Sequence, residues 1–187
     1  MPNLHNLACP AGHGCQPSNK CPYTGGPYTV RREAFEGLGG VSAGGSLDIV
    51  TAHHAAKENM VPPFTGSWAS VPATGNEEAV PDKYKDLWFS QEQNANSPVL
   101  GAIFTNMNTF GLMPSSFVQV RGMDSRREAS LIYERALRDH SAKTRLNAFP
   151  GVSHGHWVIF PTSRASGLVM LYAIRGMGLL LGQEPEK

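Results

Sequence analysis

The sequence predicts an α/β fold in which a mainly parallel sheet is flanked by helices. Three observations predict it. Strand-like and helix-like patterns alternate from about residue 35 onward, as parallel sheets with crossover helices require. A glycine-rich stretch, Gly-Gly-Val-Ser-Ala-Gly-Gly at residues 39–45, joins a short apolar run to a helical pattern. The 187 residues are 41% hydrophobic and 17% charged, an ordinary globular composition with enough length for one substantial core.

Along the chain, residues 1–30 read as an irregular tail rich in turn formers and residues 31–187 as the folded domain. Cys9, Cys15 and Cys21 all lie in the tail, near His5 and His13. Structural zinc sites use two close ligand pairs separated by a longer loop, and this spacing does not show that. An odd count also leaves a cysteine over in any disulfide scheme. Neither a metal site nor a bridge is therefore expected. The N-terminus shows no basic patch followed by an apolar core, so it does not read as a leader, and a cytosolic location is the default.

Order begins with a strand at residues 35–38. Beyond the glycine turn, Leu47, Val50 and His54 recur at helical spacing, predicting a helix to about Asn59 that Pro62-Pro63 stops. Residues 67–71 read as a short strand. The segment to about Pro98 reads as polar surface loop with local helix, and residues 99–113 are ambiguous. The run Phe117-Val118-Gln119-Val120 reads as a buried strand. Ala129, Ile132, Tyr133, Ala136 and Leu137 then form one complete apolar helical face. Residues 144–149 read as another strand, ended by Pro150-Gly151. The stretch 163–181 reads as a buried C-terminal helix, too short and too interrupted by Arg175 to span a membrane. A net charge of +1 with no basic run leaves no footprint for nucleic acid or an acidic membrane surface.

The chemistry centres on Ser42. A serine hydroxyl is a poor nucleophile until a base is held against it and the chain presents it clear of the sheet. Gly40, Gly44 and Gly45 around Ser42 allow the tight strand-to-helix turn that does the second job. The helix that follows points its N-terminal dipole at the site, and the Ala43 N–H is the natural oxyanion donor. An acid and a base follow in chain order: Asp124, just past a strand end, and His154, in the loop after the next strand. His154 would take the Ser42 proton, with Asp124 fixing its tautomer. His156 is a neighbouring alternative base, read as a surface or rim residue, while His53 and His54 read as structural.

These motifs together resemble a known family. Gly-Gly-Val-Ser-Ala-Gly-Gly-Ser-Leu resembles the nucleophile elbow of the hormone-sensitive-lipase-like branch of the α/β-hydrolase superfamily, which includes many fungal esterases. Gly122-Met123-Asp124-Ser125-Arg126-Arg127-Glu128 and the helix after it resemble the branch's acid motif. Residues 149–157, Phe-Pro-Gly-Val-Ser-His-Gly-His-Trp, resemble its histidine loop, with His156 where the branch usually has an aromatic. The polar segment at 80–86 and Gln93-Asn94 also look like the fungal members. The resemblance implies a partial α/β-hydrolase fold, a Ser42–Asp124–His154 triad, no cofactor or metal, and a small ester substrate. The branch's His-Gly-Gly-Gly oxyanion loop has no counterpart upstream of Ser42, and Gly12-His13-Gly14 is no substitute. The first strands of the family sheet and the cap are also missing, and the family's longer helical segment is shortened at 97–113. The chain is thus expected to be an N-terminally truncated copy, with an exposed sheet edge that invites pairing with a second copy.

Two functional readings follow. One is a carboxylic-ester hydrolase, of the kind found in fungal secondary metabolism. The other is a catalytically weak or inactive α/β-hydrolase remnant serving as a binding or assembly module, or a gene-model fragment. The complete acid–base–nucleophile set favours the first and the missing oxyanion loop favours the second.

Overall fold

In the computed structural model, residues 37–61, 63–75, 77–88, 104 and 107–181 are described. The tail at 1–30, its cysteines, and residues 99–103, 105 and 106 of the ambiguous stretch lie outside them. Four strands, β1 (Gly37–Val41), β2 (Gly66–Ser70), β3 (Ser115–Arg121) and β4 (Thr144–Phe149), form one sheet in that spatial order. Every pair is parallel. The register sets Val41 beside Ser70, Ser70 beside Gln119, and Arg121 beside Phe149, so the carboxyl ends make one common rim. The helices are α1 (Ala43–Lys57), α2 (Arg127–Asp139), a single turn α3 (His156–Ile159), and α4 (Arg164–Leu180).

Alternation along β3 builds the two faces of the core. Val118 and Val120 pack with Ile49 and Ala52 of α1 and with Ile132, Tyr133, Ala136 and Leu137 of α2. The five α2 positions expected from the sequence are all buried. Phe117, Gln119 and Arg121 point the other way. There Gln119 receives the Trp68 indole N–H at 3.2 Å and donates to the Val169 carbonyl of α4 at 3.5 Å.

Several expectations are corrected. The first strand runs through the glycines to Val41. In α1 the buried face is Gly45, Ser46, Asp48, Ile49, Ala52, His53 and Ala55, whereas Leu47 is 66% exposed and His54 is exposed. Small residues at 45, 46 and 52 let the helix lie close on β1 and β2, which turns Leu47 outward. The segment after β2 is not all surface. It makes 3-10 turns at Glu77–Ala79 and Asp82–Leu87, and Val80 and Tyr84 join the core. Another 3-10 turn at Met107–Leu112 buries Phe110. The C-terminal helix is only partly buried: Ser166, Val169, Ala173 and Gly176 face the sheet, while Met170 and Ile174 are exposed. Among the described residues, no helix is long and apolar enough to cross a membrane. None of their His, Cys, Asp and Glu side chains cluster in threes to hold a metal.

The α1 core layer carries two buried titratable groups of opposite tendency. Asp48 accepts from Ser67 Oγ at 2.7 Å. Burial pushes its pKa from 3.8 to about 7, against the lowering effect of the Ser67 bond. His53 bonds Thr109 Oγ1 at 2.7 Å and the Tyr133 hydroxyl at 3.2 Å. Burial pushes its pKa from 6.5 to about 4. As pH rises from 3.8 to 7, the unfolded Asp48 ionises while the folded one stays neutral, so stability is lost across that window. As pH falls from 6.5 to about 4, the unfolded His53 gains a proton that the folded one refuses, so stability is lost in that direction. The two slopes oppose each other over most of the same range. Asp48→Asn therefore unmasks the histidine. The variant should gain stability over the parent by up to about 1.4 kcal/mol per pH unit between roughly pH 4 and 7. Urea unfolding at several pH values checks this, and a pH-independent difference between the two proteins would refute it.

Candidate active site

The turn at Ser42 follows from what its backbone must do. Between the end of β1 and the start of α1 the chain reverses within one residue, and Ser42 takes φ 55°, ψ −118°. A non-glycine residue at positive φ costs on the order of 1–3 kcal/mol and persists only when neighbours hold it there. Three bonds do so. The Ser42 N–H donates to the Ser70 carbonyl at 2.8 Å, extending the β1–β2 ladder by one step. Its carbonyl accepts the Ser46 N–H at 3.0 Å and the Ser46 hydroxyl at 3.2 Å. Ser46 Oγ in turn accepts the Ala73 N–H at 2.9 Å, tying the turn to the loop after β2. Ser46 was missed in the sequence; its only local signal is a hydroxyl four residues past Ser42.

The glycines are not equivalent. A Cβ on Gly40 would lie 2.2 Å from the Gly44 carbonyl carbon, because the first turn of α1 folds back onto β1. One on Gly45 would meet the Gly40 oxygen at 3.0 Å, whereas one on Gly44 would meet no described atom within 4 Å. Of the three glycines expected to allow the tight turn, Gly40 and Gly45 are therefore held by close contacts and Gly44 is not. Ala43 is the first residue of α1, where backbone N–H groups have no carbonyl a turn earlier to bond.

Asp124 lies three residues past β3 and is 5% exposed. Its Oδ1 accepts the Arg126 N–H at 3.0 Å, which aims Oδ2 at the histidine. The acid and histidine loops are joined by backbone bonds from Gly122 N–H to Phe149 O at 2.9 Å and from Met123 N–H to Val152 O at 3.0 Å. That approach needs Gly122, whose Cβ would sit 2.9 Å from the Pro150 Cα.

The structure brings the three sequence-predicted side chains together. Ser42 Oγ lies 2.9 Å from His154 Nε2, and His154 Nδ1 lies 2.6 Å from Asp124 Oδ2. With Asp124 ionised, Nδ1 carries the proton and Nε2 presents its lone pair to the hydroxyl. Such an arrangement can accept a proton from Ser42 and return it to a leaving group. His156 is not at the rim, a correction to the sequence reading. It is 4% exposed and packs edge-on against Trp157 with ring centroids 5.5 Å apart. It opens α3, and that turn carries its ring inward. Burial, and then the nearby Arg121 charge, push its pKa down. His53 lies in the α1 core.

Two arginines that the sequence reading did not single out also border the site. Arg121, 1% exposed at the end of β3, donates to Ser70 Oγ at 3.2 Å. Its guanidinium lies over the rings of Phe149 and Trp157 at 4.9 and 5.2 Å. Burial lowers its pKa to about 10, partly offset by Asp124. Arg126 places Nη1 3.5 Å from His154 Nε2.

Comparison with known proteins agrees with this architecture. Residues 36–158 match a family model described as the alpha/beta hydrolase fold. An AB hydrolase superfamily protein of Schizosaccharomyces pombe is 31% identical over 145 residues, covering 66% of this chain and 42% of that protein. The versiconal hemiacetal acetate esterase of Dothistroma septosporum is 29% identical over 173 residues, covering 81% of this chain and 52% of the esterase. The chain thus spans about half the length of the curated relatives it matches. Among solved structures, vibralactone cyclase superposes with a TM-score of 0.66 at 24% identity, over 82% of this chain and 51% of the cyclase.

The glycine geometry generates a paired prediction. Gly44→Ala should fold as well as the parent, with a helix-propensity gain on the order of 0.5–1 kcal/mol. Gly40→Ala should lose several kcal/mol or fail to fold, because the turn and the first helical turn cannot both keep their places. Thermal and urea unfolding of both variants test it, and equal effects would refute the close approach.

Proposed function

The chain belongs to the alpha/beta hydrolase family, and on that footing we propose that it is a carboxylic-ester hydrolase with Ser42 as nucleophile. The observation that carries the reading is the continuous relay Ser42 Oγ–His154 Nε2, His154 Nδ1–Asp124 Oδ2, at 2.9 and 2.6 Å. His154 takes the hydroxyl proton as Ser42 Oγ attacks the ester carbonyl, and Asp124 stabilises the imidazolium that forms. The Ala43 N–H donates to the oxyanion at the start of α1, assisted by the helix dipole. The protonated histidine then protonates the departing alcohol. Water, activated by the same base, releases the acyl group and frees Ser42. No cofactor or metal enters these steps.

A relative named for an acetate ester makes small acetate esters the first substrates to try, in keeping with a role in fungal secondary metabolism. Among the described strands β1 and β4 each have a single neighbour, and a free side of this kind is where pairing with a second copy would occur. The reading is tested by fluorophosphonate labelling. The folded parent should label at Ser42 and Ser42→Ala should not. Asp124→Asn, which favours the wrong histidine tautomer, should lower kcat/KM for p-nitrophenyl acetate by about 10³–10⁴-fold. A folded parent that neither labels nor hydrolyses the ester overturns the proposal and leaves the fold as a binding scaffold.

A further inference from the structure

The nucleophile has a cation beside it that the hydrolytic relay does not use. Arg126 Nη1 is 3.5 Å from the same His154 nitrogen that faces Ser42 Oγ at 2.9 Å. A guanidinium only donates, so it competes with the serine hydroxyl for one lone pair and must lie in front of the imidazole, next to Oγ. That is the space the leaving oxygen of an ester has to enter to receive its proton. Arg126 is half-buried there. Among the described residues no carboxylate is within ion-pair distance of its guanidinium. Asp124 is already committed, one oxygen to the Arg126 backbone N–H and the other to His154. The neighbouring Arg127 differs in being paired with Glu128.

Arg121 adds a second guanidinium on the same rim. Its contacts are a hydroxyl and two aromatic faces rather than an acid. Glu128 is spent on Arg127, and Asp124, whose charge acts on Arg121, meets Arg126 only through the backbone N–H. The Arg126 guanidinium beside His154 Nε2 is thus left to be met by an anion that the substrate delivers.

We propose that Arg126 holds a carboxylate on the alcohol portion of the substrate, so that the preferred substrates are acyl esters of hydroxy acids. The inference rests on the ester-hydrolase reading above and deepens it. In acylation the bond from Ser42 Oγ to the carbonyl carbon forms and the bond from that carbon to the alcohol oxygen breaks. The proton held by His154 passes to that oxygen, and the hydroxy acid departs from Arg126. Water then cleaves the acyl-serine, returning the proton to Ser42. A planar guanidinium grips a carboxylate through two parallel bonds, which fixes the leaving group as well as neutralising the charge.

The test compares meta-acetoxybenzoate with phenyl acetate, which give the same acetyl-enzyme and differ chiefly in the anion on the leaving group. After correction for leaving-group reactivity in water, the parent should favour the anionic ester in kcat/KM by about tenfold or more. In Arg126→Leu the ratio should fall to near one, and Arg126→Lys should keep part of it. Sodium chloride at about 0.5 M, where screening acts within ~4 Å, should shrink the parent's ratio. Fluorophosphonate labelling of Ser42 is run alongside. Equal ratios in parent and Arg126→Leu, with Ser42 still labelled, overturn the role of Arg126 and leave the hydrolase reading standing. If Ser42 labels but neither ester turns over, protection from labelling by meta-hydroxybenzoate decides. Protection present in the parent and lost in Arg126→Leu supports the proposal, and equal protection overturns it. A parent that neither labels nor hydrolyses loses both readings at once.

Discussion

The hydrogen bond from the Ser42 N–H to the Ser70 carbonyl, at 2.8 Å, is the constraint on which the rest of the site depends. It carries the parallel ladder one residue beyond β1, onto a residue whose φ of 55° the chain would otherwise avoid. Once Ser42 is fixed to the end of β2, its position relative to β3 is set by the β2–β3 register, and that of β4 by the next pairing. Asp124 follows the end of β3 and His154 follows the end of β4, so two rigid ladders carry both onto the rim that holds Ser42. Side chains separated by 30 and 112 residues in sequence reach bonding distance by this addition of registers. A one-residue slip at either ladder would move its loop by about 3.3 Å and turn its strand's side chains to the opposite face.

The two faces of the sheet have different energetic characters. On the α1–α2 side the core is apolar and closed, and its buried polar groups, Asp48 and His53, are held by hydroxyls rather than by opposite charges. Burial disfavours the charged form of each, which is why the carboxyl rises despite its Ser67 bond and the imidazole falls. On the α4 side the interior is mixed, with Trp68, Gln119 and Arg121 among aromatic rings. That second face reaches the rim through Arg121. The charge beside Asp124 is therefore partly supplied by a residue whose backbone belongs to β3.

Much of this fold was legible in the sequence, and the parts that were not share a physical cause. The α2 face and the strand at Thr144–Phe149 came through because each carries one clean period set by local chemistry. The order serine, acid, histidine came through because parallel topology makes strand-end loops converge. The buried face of α1 did not, since apolar periodicity selects Leu47 whereas packing selects small residues and an acid. Asp48 can be buried only because Ser67, 19 residues later and on another element, supplies a hydroxyl. Ser46 likewise owes its placement to the Ala73 N–H, a partner that no local pattern announces. Arg126 stands two residues after Asp124, and nothing local in the sequence distinguishes it from Arg127 beside it.

The charge at Arg126 also bears on why a site with a complete relay need not be a general esterase. A histidine base gains a positive charge in the transition state, and the cation 3.5 Å from His154 carries the same sign. A neutral ester has nothing to offset that repulsion. An ester carrying its own anion meets a guanidinium that would otherwise oppose catalysis and turns it into a binding contact, strongest when the leaving group is in place to be protonated. One side chain then penalises one substrate class and anchors another, and specificity arises from the difference. The same position filled by an apolar side chain would remove both effects. Selectivity for charge at this site therefore follows from where a single guanidinium lies relative to one imidazole nitrogen, not from the shape of a distant pocket.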